Sequence, residues 1–447
     1  MSPVRAYVTC SRSDGSDMTA ESSATRMPEI RVPAGLTFLG LALGLLAGWL
    51  LQGTNPGRVV LAVAGPVGKL WLQALTMTIL PLVAGLLFTG IVETVAAARA
   101  GAMARRTLGL IFGVLALSAM LGAVLTPLLL KAWPVPANAA AAIGAQSADP
   151  GPVPTIADFL ASLIPSNIIA AASNNGMLPV IIFFSLFALA STRLAEAPRV
   201  ALATLFEGLA GAMMVVIGWV LGIAPIGVFG LAFAVSAGSG GAAFAALAHY
   251  IVIVASIGMV VMIGGYGLAT FVGRRSPLAF ARAMLPAQAV AFSTQSSLAS
   301  LPAMLVSCRR LGLRENTAEF ALPLAVALFR STGPGMNVAV AIYAGHLTGV
   351  AMTPLVLATG AFTAFATTLG AVSLPGAISF VTSIGPIAIA MGVPVEPLAL
   401  LVAVEMLPDL VRTIGNVTMD VAVTSAVDRL ESDGSRDSAL PPALASR

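Results

Sequence analysis

The chain has 447 residues, 58% of them hydrophobic and only 9% charged, with a net charge of +4. A soluble domain carries roughly 25% charged residues, so these totals exclude one and define a polytopic helical membrane protein. Cys10 and Cys308 are the only cysteines, which argues against a disulfide framework or a cysteine metal site.

The 44 glycines and 29 prolines point to close helix packing and interrupted membrane helices. The arginines are scattered among short loops, a topology signal and not a nucleic-acid surface. No nucleophile–base pair, metal cluster or phosphate loop appears, so the chain reads as no enzyme and calls for no organic cofactor. His249 and His346 have no ligand partner at helical spacing and read as packing or interfacial groups.

Residues 1–32 are polar and serine-rich without a signal-type apolar run, and are expected to form a disordered cytoplasmic tail. Met18 and Met27 within it are further candidate starts. Apolar spans follow at 36–51 and at 71–97, the second led into by 59–64 and broken at Pro81. The next lie at 107–130, at 159–190 with breaks at Pro165 and Pro179, at 200–233 with a kink at Pro225, and at 244–272. An Ala/Pro-rich loop at 134–154 with almost no charge and a glycine turn at 238–241 separate some of them.

Basic clusters test this map. Arg99/Arg105/Arg106, Arg193/Arg199, Arg274/Arg275, Arg309/Arg310/Arg314 and Arg429 all fall on the side of the N-terminal tail when the spans alternate. Both termini are therefore expected in the cytoplasm, with the chain in a bacterial inner membrane and in contact with its bilayer. Residues 285–306 must then enter and leave by the cytoplasmic side. They are too few for two spans of ~20 residues each, so they read as a re-entrant hairpin. Its tip runs from Ser293 to Pro302 and includes Ser296 and Ser297. Such a polar tip can line a cavity but cannot face lipid.

The span at 320–344 is interrupted by Phe329-Arg330-Ser331-Thr332-Gly333-Pro334-Gly335, the pattern of an unwound membrane helix. Arg330 lies near its centre, too deep to snorkel from a helix end. Residues 361–383 read as a second hairpin, entering from the outside, with Leu374-Pro375-Gly376 at its tip. The second half is thus an inverted repeat whose site is expected at mid-membrane, where the tips meet.

The final span, 400–427, carries Glu405, Asp409, Arg412, Asn416 and Asp420 at spacings of 4, 3, 4 and 4, all on one helical face. Each charge at bilayer depth costs at least ~2.5–3.5 kcal/mol without a partner. A self-neutralising ion-pair ladder is one reading of the stripe. Three acids against one arginine leave negative charge over, which favours a site for a charged solute or ion.

These motifs resemble the dicarboxylate/amino acid:cation symporter family, sharply from Ser293 to Asp420 and in architecture over roughly residues 33–430. The serine-rich tip ending in Leu301-Pro302, the Leu374-Pro375-Gly376 tip, and Asp409, Arg412-Thr413, Asn416 and Asp420 in register carry the resemblance. It implies an all-α fold of eight transmembrane helices with two re-entrant hairpins, working as an elevator in a homotrimer. Residues 33–272 would be mainly scaffold, 273–430 the transport core and 431–447 a tail. Residue by residue, it implies that Asp409 accepts a substrate ammonium and Arg412 a side-chain carboxylate. Thr413 and Asn416 add hydrogen bonds, with the two hairpin tips closing around the solute. Asp420, with Asn416, resembles a sodium ligand.

One departure stands out. Where the family reads Asn-Met-Asp-Gly-Thr, this chain has Phe329-Arg330-Ser331-Thr332-Gly333, a hydroxyl for a carboxylate and an added guanidinium. A fixed guanidinium repels sodium, so Arg330, Ser331, Glu405 and Asp420 are the candidates for altered ion coupling. Arg330 is expected to pair with Asp420 or Glu405, and Glu405 to carry a proton. The expected substrate is an anionic amino acid such as aspartate or glutamate, taken up with a proton or sodium ion. A C4-dicarboxylate is the alternative, and a transport-dead sensor or assembly protein is the rival of another class.

Overall fold

The computed structural model describes residues 34–99, 101–136, 164–174, 176–239, 242–369 and 376–438, and every regular element among them is helical. The N-terminal tail, most of the 134–154 loop, and Leu374 and Pro375 lie outside the described residues. The first half runs α1 (Ala34–Leu50), α2 (Asn55–Thr76), α3 (Ile79–Ala98), α4 (Ala102–Ala132), α5 (Ile168–Ser173), α6 (Met177–Ser191), α7 (Glu196–Gly222), α8 (Ala224–Ser239) and α9 (Ala242–Phe271). The second runs α10 (Pro277–Thr294), α11 (Leu301–Arg310), α12 (Glu315–Leu328), α13 (Gly333–Thr348), α14 (Pro354–Leu369), α15 (Gly376–Ala390), α16 (Leu398–Leu401), a 3-10 turn (Val402–Val404) and α17 (Met406–Ser438). Among the described residues, four stretches are long and apolar enough to cross a membrane: Asn55–Ala98, Ala102–Ala132, Glu196–Gly222 and Phe244–Phe271.

Proline sets most of the breaks. A proline lacks an N–H and clashes with the carbonyl four residues earlier, so the helix stops just before it and restarts with it in the first turn. Pro81, Pro225, Pro302, Pro334 and Pro408 all sit within the first three residues of a helix. The expected break at Pro81 therefore falls at Met77–Thr78, and the kink at Pro225 is a full break at Ile223. The polar span at 400–427 is not one helix, a correction with the same cause. Pro408 cannot bond the Val404 carbonyl, and Val402–Val404 tighten into a 3-10 turn before α17 begins.

Small residues then let the helices approach. Gly40, Gly44 and Gly48 on α1 face the Pro225, Phe229 and Phe233 carbonyls of α8, leaving no room for a Cβ. Gly122 of α4 meets the backbone of Gly335 in the same way, which seats α13 in the centre of the molecule. From Met336 to Ala344 every α13 residue is buried. Gly122→Ala is expected to push the two backbones apart and cost about 1–3 kcal/mol, as overpacking does. A melting curve of the detergent-solubilised protein reads that loss.

Candidate functional site

The site forms where the gap between α12 and α13 meets the first three turns of α17. Phe329 is extended and its amide still bonds the Ala325 carbonyl, whereas the Thr332 amide has no helical partner. Asn416 supplies one. Its side-chain oxygen accepts from the Thr332 amide at 3.0 Å, the Thr332 hydroxyl at 2.8 Å and the Ser331 hydroxyl at 3.2 Å. The Thr332 hydroxyl also lies 3.1 Å from the Arg412 carbonyl. With its oxygen so occupied, Asn416 has only its amide nitrogen to offer a ligand carboxylate.

Arg412, one turn earlier, is almost fully buried and engaged on every side. One terminal nitrogen donates to Glu405 Oε1 at 2.6 Å and the other to Asn337 Oδ1 at 2.7 Å. Asp409 Oδ1 lies 3.2 Å from its Nε, an ion-pair contact without hydrogen-bond alignment. The second Glu405 oxygen accepts from the Tyr250 hydroxyl at 3.3 Å. The ladder reading of the stripe thus holds for Glu405, Asp409 and Arg412. It fails for Asp420. That side chain is 0% exposed, and neither of its oxygens has a hydrogen-bond partner among the described residues.

Arg330 is half-buried at the break, within electrostatic range of Asp409, Asp420 and Arg412. Pairing of Arg330 with Glu405 is corrected: Glu405 belongs to Arg412, seven residues on and so two turns along the same face. Ser331 is fully buried in the same gap. Thr413 bonds its own helix, its hydroxyl 2.9 Å from the Asp409 carbonyl.

The first tip lies between α10 and α11, which pack together and against α17. Gln295 closes α10 in the left-handed conformation, turning the chain. Ser296 and Ser297 follow, half-buried, and the Ser296 hydroxyl accepts from the Ala299 amide at 3.2 Å. Among the described residues their hydrogen bonds stay within the tip. At the second tip only Gly376 is described, as the first residue of α15.

Sequence reasoning missed Tyr250 and Asn337. One of two tyrosines on α9 and a lone amide on α13 are the only local signals, and their partners lie 155 and 75 residues away. His249 is a packing residue as expected, held between the Tyr343 hydroxyl and the Trp133 carbonyl, each at 3.1 Å.

The structure thus has a buried carboxylate–guanidinium cluster beside the break between α12 and α13, a combination that membrane transporters use. The chain belongs to the sodium:dicarboxylate symporter family, which it matches over residues 35–430. It is 25% identical to the proton/sodium-glutamate symport protein of Bacillus subtilis, covering 90% of this chain and 94% of that one. The proton/glutamate-aspartate symporter of Escherichia coli is also 25% identical, over 90% and 93% of the two chains. The rabbit (Oryctolagus cuniculus) neutral amino acid transporter B(0) is 29% identical, over 91% of this chain and 80% of its own.

Proposed function

We propose that this protein is a symporter of acidic amino acids that couples aspartate or glutamate uptake to protons. The observation that carries the reading is the 2.6 Å bond between Glu405 and Arg412. A substrate carboxylate needs the guanidinium fork that Glu405 now holds. Protonated, Glu405 is a neutral competitor and releases it, so proton and substrate carboxylate bind together by linkage. The Tyr250 oxygen, 3.3 Å from Glu405, gives the new carboxyl hydrogen an acceptor.

Asp409 takes the substrate ammonium, which disfavours a C4-dicarboxylate because two anions would then meet. Asn416 and the two tips, Ser296-Ser297 and Leu374-Pro375-Gly376, close over the solute. Asp420 has the unmatched oxygens of a cation ligand, and Arg330 beside it supplies a resident positive charge in place of part of the sodium requirement. Two re-entrant hairpins, eight membrane spans, an elevator motion and a homotrimer in a bacterial inner membrane with both termini cytoplasmic complete the proposal. A neutral amino acid is the second reading, favoured by the same ion pair: with Glu405 ionised, Arg412 is already neutralised.

Uptake of labelled aspartate into proteoliposomes, competed by glutamate, succinate and serine, tests the substrate class. Competition by glutamate and not by succinate is expected; serine as the stronger competitor at pH 7 would favour the neutral reading. The tips offer a second test. In a background with Cys10 and Cys308 replaced by serine, Ser296→Cys and Ser373→Cys are expected to cross-link faster with aspartate bound. Cross-linking indifferent to every substrate contradicts closure of the tips.

A further inference from the structure

Asp428 lies eight residues beyond Asp420 on α17, outside the site just described, and only 5% of its surface is exposed. A buried carboxylate is costly unless paired. Asp428 is paired with both ends of one unit. Its Oδ1 accepts from Arg314 Nε at 2.9 Å and from the Arg314 amide at 3.2 Å. Its Oδ2 lies 3.3 Å from a terminal nitrogen of Arg275. Arg275 stands just before α10, and Arg314 just after α11.

The two feet are also tied to each other. The other terminal nitrogen of Arg275 donates to the Leu311 carbonyl at the end of α11, at 2.6 Å. Arg314 donates a further bond to the Asp428 carbonyl at 2.7 Å. The chain bends sharply to make this triangle. Arg274 adopts the left-handed conformation, φ 52°, which a side-chain-bearing residue keeps only where its surroundings impose it. Higher up, Gln288 of α10 donates to Thr418 of α17 at 2.9 Å, between Asn416 and Asp420. The α10/α11 pair is therefore fastened to α17 at its feet and at mid-length, while its Ser296-Ser297 tip makes only local bonds.

We infer that Asp428 is a positioning residue for the substrate site: by clamping both feet of the α10/α11 pair, it fixes where the tip stands relative to α17. The carboxylate acts through Arg275 and Arg314 and touches no solute. Two charges on separate loops meeting one buried acid give a defined angle, where an apolar contact would permit sliding.

Spin labels test this directly. In the background lacking Cys10 and Cys308, labels at Leu298→Cys on the tip and Leu407→Cys on α17 report the tip distance. Labels at Phe362→Cys and Leu407→Cys, with α14 in place of the tip, are the control. Asp428→Asn and Arg314→Gln are each expected to broaden the first distribution and leave the second sharp. KM for aspartate is expected to rise about tenfold, with kcat changed far less, as for a displaced binding group. If Asp428→Asn does not fold, Arg314→Gln, whose side chain is 46% exposed, carries the test alone. A sharp tip distance in the folded variants overturns the inference whatever solute is carried. An error in the substrate proposal shows instead as no aspartate uptake by the unsubstituted protein.

Discussion

Arg412→Cys is expected to abolish binding of acidic amino acids, a loss of about 2–5 kcal/mol or more, since a buried charge pair loses its cation. The same change leaves Glu405 and Asp409, 1% and 6% exposed, without the guanidinium that neutralises them. The variant is therefore expected to be less stable at neutral pH and to recover partly on acidification, when the two acids take up protons. The double variant Arg412→Gln/Glu405→Gln removes both members of the closest pair, so it is expected to regain stability without regaining aspartate binding. Calorimetric titration with aspartate and a melting curve separate the two effects. Aspartate affinity unchanged in Arg412→Cys removes Arg412 from the substrate site.

Glu405→Gln is the second large effect. The amide keeps the shape of the carboxyl but not its charge, so the terminal nitrogens of Arg412 lose their anionic competitor at every pH, Asp409 touching only Nε. In the unsubstituted protein, aspartate affinity is expected to rise as pH falls through the titration of Glu405, because the proton releases the fork. In Glu405→Gln that dependence is expected to vanish, with affinity at high pH equal to or above that of the unsubstituted protein. Exchange of aspartate across the membrane needs no net proton movement and is expected to survive. Tyr250→Phe, which removes only the partner of the second Glu405 oxygen, is expected to keep the dependence and shift its midpoint. A full pH response retained in Glu405→Gln assigns the proton to another group.

The sequence makes local features legible and leaves their partners obscure. The break at Phe329–Thr332 is readable because Pro334 lacks an N–H, and the turn at Gln295–Ser300 because a polar tip interrupts two apolar runs. The stripe from Asp409 to Asp420 follows from helical period alone. Glu405 joins the stripe through Arg412 from the break before α17, and its surroundings are not foreseeable from the sequence. Pro408 forces a 3-10 turn just before it, and its second hydrogen bond comes from Tyr250 on α9. Asn337 and Asp428 were missed for a related reason. Their roles exist only through contacts 75 and 114 to 153 residues away, which no periodicity encodes. Charge counting leaves acid in excess of Arg412, and in the structure Asp420 is the acid without a hydrogen-bond partner among the described residues. Counting could not say which acid Arg412 would hold.

In the proposed mechanism the Glu405–Arg412 pair ties the proton to the substrate, and driven uptake measures that link most directly. Proteoliposomes containing the purified protein are loaded so that a proton gradient, a sodium gradient or neither is imposed, and labelled aspartate is added outside. Accumulation driven by the inward proton gradient with no sodium present, abolished in Glu405→Gln while exchange persists, is the predicted result. Strict dependence on sodium with no response to the proton gradient would contradict it, and would place the coupling ion at Asp420 despite Arg330.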